Sequence, residues 1–152
     1  MKPDALLRQY DKSPTNLLAI LHDLQNANER HYLSLVDLES AAEYLGLARS
    51  DVQGVATFYS MFSLKPRGKH IVRICQSPPC HLMGATSVSR ELMKILGIRL
   101  GETTGDGLFT LEMSSCLGVC GVAPAMMIDD VVYGNLVPDR LTALIEEIRG
   151  RT

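Results

Sequence analysis

The chain has 152 residues, 46% hydrophobic and 21% charged, with a formal net charge of −2 and no tryptophan. That is enough apolar material to bury a real core, and the near-neutral balance argues against a nucleic-acid binder. No run approaches the roughly 20 apolar residues that span a bilayer, and Met1-Lys2-Pro3-Asp4 opens neither a secretory h-region nor an Arg-rich leader, so a cytoplasmic protein without membrane insertion is expected.

Residues 1–66 read as helical throughout. Ser13-Pro14 is a helix start, and Leu17, Leu18, Leu21 and Leu24 repeat at helical spacing to about Asn28. Ser34 is a second N-cap, followed by Leu35, Leu38, Ala42 and Leu45, with Gly46 as the stop. Ser50 opens a third helix with Val52, Val55, Ala56, Tyr59 and Phe62 on one side. A helix cannot hide every side, so an exposed Phe58 or Met61 would mark a partner surface. Residues 34–62 also fit a helix-turn-helix spacing, which would suggest a DNA-binding redox regulator if the 4 cysteines of the chain carry redox chemistry. The would-be recognition helix, Asp51 to Phe62, has no Lys or Arg, and residues 1–69 hold equal numbers of basic and acidic side chains. Phosphate contacts need cations, so a helical bundle is the better reading.

Lys65-Pro66-Arg67-Gly68-Lys69 breaks the pattern and reads as a linker to a second domain over residues 69–152. His70 to Ile74 is a β-branched apolar strand. Leu82 to Leu96 reads as one helix, with Leu82, Val88, Leu92, Ile95 and Leu96 inward and Gly97 as its stop. Gly101 to Gly107 is a polar turn, and Leu108 to Met113 alternates as a second strand. Ala125–Ile128 and Val131–Tyr133 form a hairpin joined at Asp129-Asp130, and Pro138 opens a last helix with Leu141, Leu144, Ile145 and Ile148 inward. The order β-α-β-β-β-α predicts a thioredoxin-like α/β domain. The whole is then α+β, an N-terminal helical bundle followed by that domain.

All 4 cysteines fall in two short stretches, Cys75-x4-Cys80 and Cys116-x3-Cys120. Each stretch directly follows a predicted strand. A helical crossover implies that those strands are parallel, so their carboxyl ends share one sheet edge, where α/β proteins place ligands. Two thiolate pairs suit a [2Fe–2S] cluster, in which each iron takes two cysteines. The spacing matches neither plant-type ferredoxins nor the C-x2-C clip of structural zinc sites. A zinc-stabilised interaction module, two disulfides or a disulfide-exchange protein, and metal-free buried cysteines remain as alternatives. Pro78-Pro79 stiffens the first loop, and the N–H groups of both loops are available to cluster sulfurs. The helix starting near His81 is expected to point its positive end at this anionic site. Apart from the cysteines, His81 is the one ionisable side chain in residues 74–89, and residues 113–128 carry none. Such a rim suits a permanently docked interface better than charge steering. His81 is read as a helix-start residue, and Met113, Met126 and Met127 as packing. His22, His31 and His70 have no partner identifiable from sequence.

Gly54-Val55-Ala56-Thr57-Phe58-Tyr59, Cys75-x4-Cys80-His81, Gly101-Glu102-Thr103-Thr104, Asp106 to Glu112, and Cys116-Leu117-Gly118-Val119-Cys120 before Ala123-Pro124 carry a resemblance over nearly the whole chain. The chain resembles the small 24-kDa-type [2Fe–2S] subunit of NADH-oxidising flavoprotein modules, found in complex I, in NAD-dependent hydrogenases, including bifurcating ones, and in NAD-dependent formate dehydrogenases. Asp129-Asp130 stands where relatives often have Asn-Gly. The resemblance implies that Cys75 and Cys80 hold one iron while Cys116 and Cys120 hold the other. It implies docking, in a larger hetero-oligomer, on a flavoprotein subunit that carries FMN, binds NAD(H) and holds Fe–S clusters. This chain has no Gly-rich nucleotide fingerprint and no nucleophile–base constellation, so one-electron transfer without a hydride or substrate site of its own is expected.

Overall fold

The structure, a computed structural model, describes residues 3–151; Met1, Lys2 and Thr152, at the ends of the two expected domains, lie outside the described residues. The chain divides into two compact units, Met1–Arg67 and Gly68–Thr152.

The first unit is four helices. α1 (Pro3–Leu7) buries Leu6 and Leu7. A 3-10 turn over Pro14–Asn16 leads into α2 (Leu17–Ala27), which buries Ile20, Leu21 and Leu24. α3 (Leu35–Leu45) starts on a capping box: Asp37 N–H donates to Ser34 Oγ at 3.2 Å, and Ser34 N–H donates to Asp37 Oδ2 at 2.8 Å. It ends on left-handed Gly46, as the sequence predicts. α4 differs from expectation. It runs over Arg49–Phe58 with Ala48 as N-cap, so it begins one residue before Ser50 and stops short of Phe62. Val52 and Ala56 face the core, and Phe62 reaches the same core from beyond the helix end. Phe58 is 81% exposed, and Tyr59 and Met61 are exposed beside it. Gln25 is the reason the chain after α4 folds back: its Nε2 donates to Met61 O at 3.0 Å and its Oε1 accepts Ser63 N–H at 2.8 Å.

The expected linker is not a free strand of chain. Arg67 is buried; its N–H donates to Arg30 O at 2.8 Å and its Nε to His31 O at 2.7 Å. Gly68 N–H donates to Thr110 Oγ1 at 2.6 Å within the second unit. An Arg in a Pro/Gly-flanked pentapeptide gives no sign of burial, because its partners are backbone carbonyls from residues far away in sequence.

The second unit is a four-stranded sheet in the order β2-β1-β3-β4. β1 (His70–Cys75) and β2 (Phe109–Ser114) are parallel, in the register His70↔Phe109 through Cys75↔Ser114. β3 (Met126–Ile128) runs antiparallel to β1, and β4 (Val131–Tyr133) antiparallel to β3. The helix predicted from Leu82 is broken. A short α5 (Pro78–Leu82) comes first, and Gly84, at φ 99°, turns the chain before α6 (Ala85–Leu96) begins. Leu82 therefore does not point inward; it is 83% exposed. Val72, Ile74, Phe109, Leu111 and Met126 form the sheet side of a core covered by α6 and α7 (Pro138–Gly150). The hairpin residue Asp129 sits at φ 54°, tolerable for Asp. It also supplies a partner for His70 that the sequence does not reveal: Asp129 Oδ2 lies 2.7 Å from His70 Nδ1, while Oδ1 accepts Ile71 N–H at 2.9 Å. His22 packs against Phe62 with ring centroids 4.6 Å apart and the rings tilted by 49°. No helix among the described residues is long and apolar enough to cross a membrane.

Candidate iron–sulfur site

Parallel pairing of β1 and β2 carries both cysteine stretches to one sheet edge. Cys75 is the last residue of β1, and Cys116 follows the end of β2 by two residues. Gln76 N–H continues the ladder to Ser114 O at 3.0 Å, so the chain leaves both strands at the same level. The expected Gln76–Pro79 loop is mostly the first turn of α5. Ser77 is its N-cap and Pro78-Pro79 occupy positions where no N–H donor is needed, which places Cys80 on a helix rather than a loop. Cys75 and Cys80 are buried, whereas Cys116 and Cys120 are exposed.

The second pair is preformed. Cys116 Sγ and Cys120 Sγ lie 3.9 Å apart. Two thiolates on one tetrahedral metal at about 2.3 Å would sit about 3.8 Å apart. Gly118, at φ 77°, lets the three-residue loop turn tightly enough for this, and its N–H points at Cys116 Sγ at 3.4 Å. A residue with a Cβ adopts that backbone only at a cost.

The two pairs are stitched together by main-chain groups. Cys75 N–H donates to Ala125 O at 3.1 Å. The N–H of Leu117, in the second cysteine loop, faces the Cys75 sulfur, and the N–H of Ala125 faces the Cys80 sulfur. Burial pushes the Cys75 thiol up, but the N–H groups of Ser77 and Leu117, the Cys80 thiol and the Ser77 hydroxyl together hold it below the ordinary cysteine value. Burial raises the Cys80 thiol, as does its hydrogen bond to Cys75, against the opposing Ala125 N–H. The Cys116 hydrogen bond and charge, followed by burial, raise Cys120. Of the loop N–H groups expected to serve the sulfurs, those of Ser77, Leu117 and Gly118 face them, and that of Gln76 is spent on the ladder.

Among the described residues, no three His, Cys, Asp or Glu side chains converge as ligands of a single ion would; the thiols come as pairs. Two dithiolate pairs with N–H donors around the sulfurs fit a two-iron cluster in their chemistry. α6 starts at Ala85, beyond the break at Gly84, so the helix expected to aim its positive end from His81 starts later than that. His81 is exposed, with Nδ1 3.3 Å from Thr86 Oγ1. Sequence reasoning missed Ala125, which lies outside both cysteine loops and acts through a backbone N–H that any residue other than proline could supply.

The sequence model of the thioredoxin-like [2Fe–2S] ferredoxins matches residues 4–149. The chain belongs to this thioredoxin-like [2Fe–2S] ferredoxin family. Its cofactor is a [2Fe–2S] cluster. This ferredoxin is 50% identical over 109 residues to an NADH-quinone oxidoreductase subunit of Pseudomonas aeruginosa, an alignment covering 72% of the chain and 66% of the relative. It is 42% identical over 112 residues to the NADH-quinone oxidoreductase subunit of the same name in Escherichia coli, covering 74% and 68%. Against a Rhizobium meliloti counterpart it is 41% identical over 137 residues, 90% of the chain and 82% of the relative. The match thus spans about two thirds of the first two relatives. The fold is that of part of an NAD+-reducing [NiFe]-hydrogenase in the air-oxidised state, with a TM-score of 0.78 and 23% identity over 93% of this chain and 24% of that one. The three sequence relatives are all subunits of multi-subunit enzymes.

Proposed function

We propose that this chain is the [2Fe–2S] electron-transfer subunit of a cytoplasmic NADH-oxidising complex, with Cys75, Cys80, Cys116 and Cys120 as the cluster ligands. The parallel β1–β2 pair, which delivers both cysteine stretches to one sheet edge, carries the reading. When bound, the cluster supplies one-electron redox chemistry. The chain's own residues do the rest. Cys75 and Cys80 hold the buried side, Cys116 and Cys120 the side open to a partner, and the Ser77, Leu117 and Gly118 N–H groups donate to sulfur and so tune the potential.

The partner we propose is a flavoprotein subunit that carries FMN and binds NAD(H). Exposed Leu82, Met83 and Val122 border the cysteines, and apart from His81 the stretches around them carry no charge. An apolar rim of this kind is stable when covered. Phe58, Tyr59 and Met61 offer a second apolar face on the helical unit, proposed as the partner-docking domain over residues 1–66, with the ferredoxin domain over 69–152.

Anaerobic purification from the native host, with iron, sulfide and zinc analysis and identification of co-purifying chains, tests the reading. Two irons and two sulfides per chain with a flavoprotein alongside are expected for a [2Fe–2S] subunit. One zinc per chain and no visible thiolate–iron absorption would overturn it.

A further inference from the structure

The segment after β4 touches the site without supplying a ligand. A Cβ on Gly134 would clash with Val122 Cγ2, and would fall 2.5 Å from Val122 Cβ and 2.8 Å from Val122 O. Gly134 does not have a left-handed backbone, so what it supplies is room. The next two residues bond the same strip: Asn135 N–H donates to Val122 O at 2.6 Å, and Leu136 N–H donates to Pro124 O at 3.1 Å.

That strip lies between the two halves of the site. On one side, Val122 N–H donates to Val119 O at 3.0 Å and Ala123 N–H to Cys120 O at 3.3 Å, which fixes the turn bearing Cys120. On the other side is Ala125, whose carbonyl accepts Cys75 N–H at 3.1 Å and whose N–H faces the Cys80 sulfur. Displacing Val122 therefore moves Cys120 relative to Cys75 and Cys80. Val122 is itself partly exposed, so packing on its outer side does not hold it.

We propose that Gly134, Asn135 and Leu136 form a backbone clamp that sets the spacing between the two cysteine pairs, with Gly134 as a positioning residue. The proposal rests on the reading that the four cysteines hold the cluster. Outer-sphere geometry governs both metal retention and potential, so the clamp acts on both.

The test uses the full chain purified anaerobically with its cluster, and three variants. Gly134→Ala compresses the contact. Val122→Gly loosens it without a clash, and carries the test alone if Gly134→Ala does not fold. Gly68→Ala is the control: its Cβ would meet the Phe109 and Leu108 backbone at 2.8–2.9 Å, a comparable clash but ahead of β1, at the opposite end of that strand from Cys75. Either site variant should release iron to a chelator about tenfold faster, the lower end of outer-sphere effects. It should also shift the midpoint potential and the electron paramagnetic resonance g-values of the reduced cluster, while Gly68→Ala leaves these at wild type. Wild-type values in the folded site variants, or equal changes in the control, would overturn the clamp. Cys120→Ser separates the premise: unchanged iron content and spectrum there would refute the ligand reading itself, whereas a changed Cys120→Ser with unchanged clamp variants refutes only the clamp.

Discussion

Leu82 gives the sharpest test of the docking rim. In the isolated chain it is 83% exposed, at the end of the short helix that carries Cys80. Leu82→Ala removes three carbons. At about 0.8 kcal/mol per buried CH2-sized group, full burial against a partner is worth about 2.4 kcal/mol, and the exposed share leaves about 2 kcal/mol available to binding. That corresponds to about a 30-fold weaker complex. The free chain should hardly notice, since a surface truncation changes stability by about 0.5 kcal/mol at most. The assay compares dissociation constants of wild type and variant for the co-purifying flavoprotein subunit, by surface binding kinetics, with thermal melting and the visible spectrum of each free chain as controls. Weakening should fall mainly on the off-rate. Less than a threefold change in affinity, with melting and spectrum unaltered, would refute the idea that this rim is buried in the complex.

Other outcomes follow from single contacts. Gln25→Ala leaves Met61 O and Ser63 N without their partners, so the helical unit should lose about 1–3 kcal/mol, read as a urea midpoint shift. The same variant should loosen the exposed Phe58–Met61 surface, seen as faster amide exchange there. Ser34→Ala breaks the capping box and should cost about 1 kcal/mol in the same measurement, without altering the cluster spectrum. Once iron and sulfide are stripped, alkylation should show two fast thiols, Cys116 and Cys120, and two slow ones, Cys75 and Cys80; four equal rates would show that the first pair is not buried.

Most of the local structure is legible in the residues. Ser34, Gly46 and Gly97 punctuate the helices as expected, because caps and stops are decided by a few neighbouring backbone groups. The alternation from Phe109 to Met113 identifies β2, since strand period depends only on which face is buried. The departures have a common cause. Helical spacing places Leu82 inward only while the helix is continuous, and Gly84 interrupts it. Phe62 belongs to the core by burial but lies past the end of α4, where Gln25 turns the chain.

The site divides the same way. Two cysteine pairs, each after a strand, together with their uncharged loops, are determined by the sequence alone, because thiolate chemistry and spacing are properties of residue type. Only the tertiary structure decided that β1 and β2 run in register from His70↔Phe109 to Cys75↔Ser114, that Cys116 and Cys120 meet at 3.9 Å, and that Gly134 leaves room for Val122. These depend on backbone groups brought close by pairing and packing. Backbone groups are the same at nearly every residue, so the sequence carries no mark of which ones will meet.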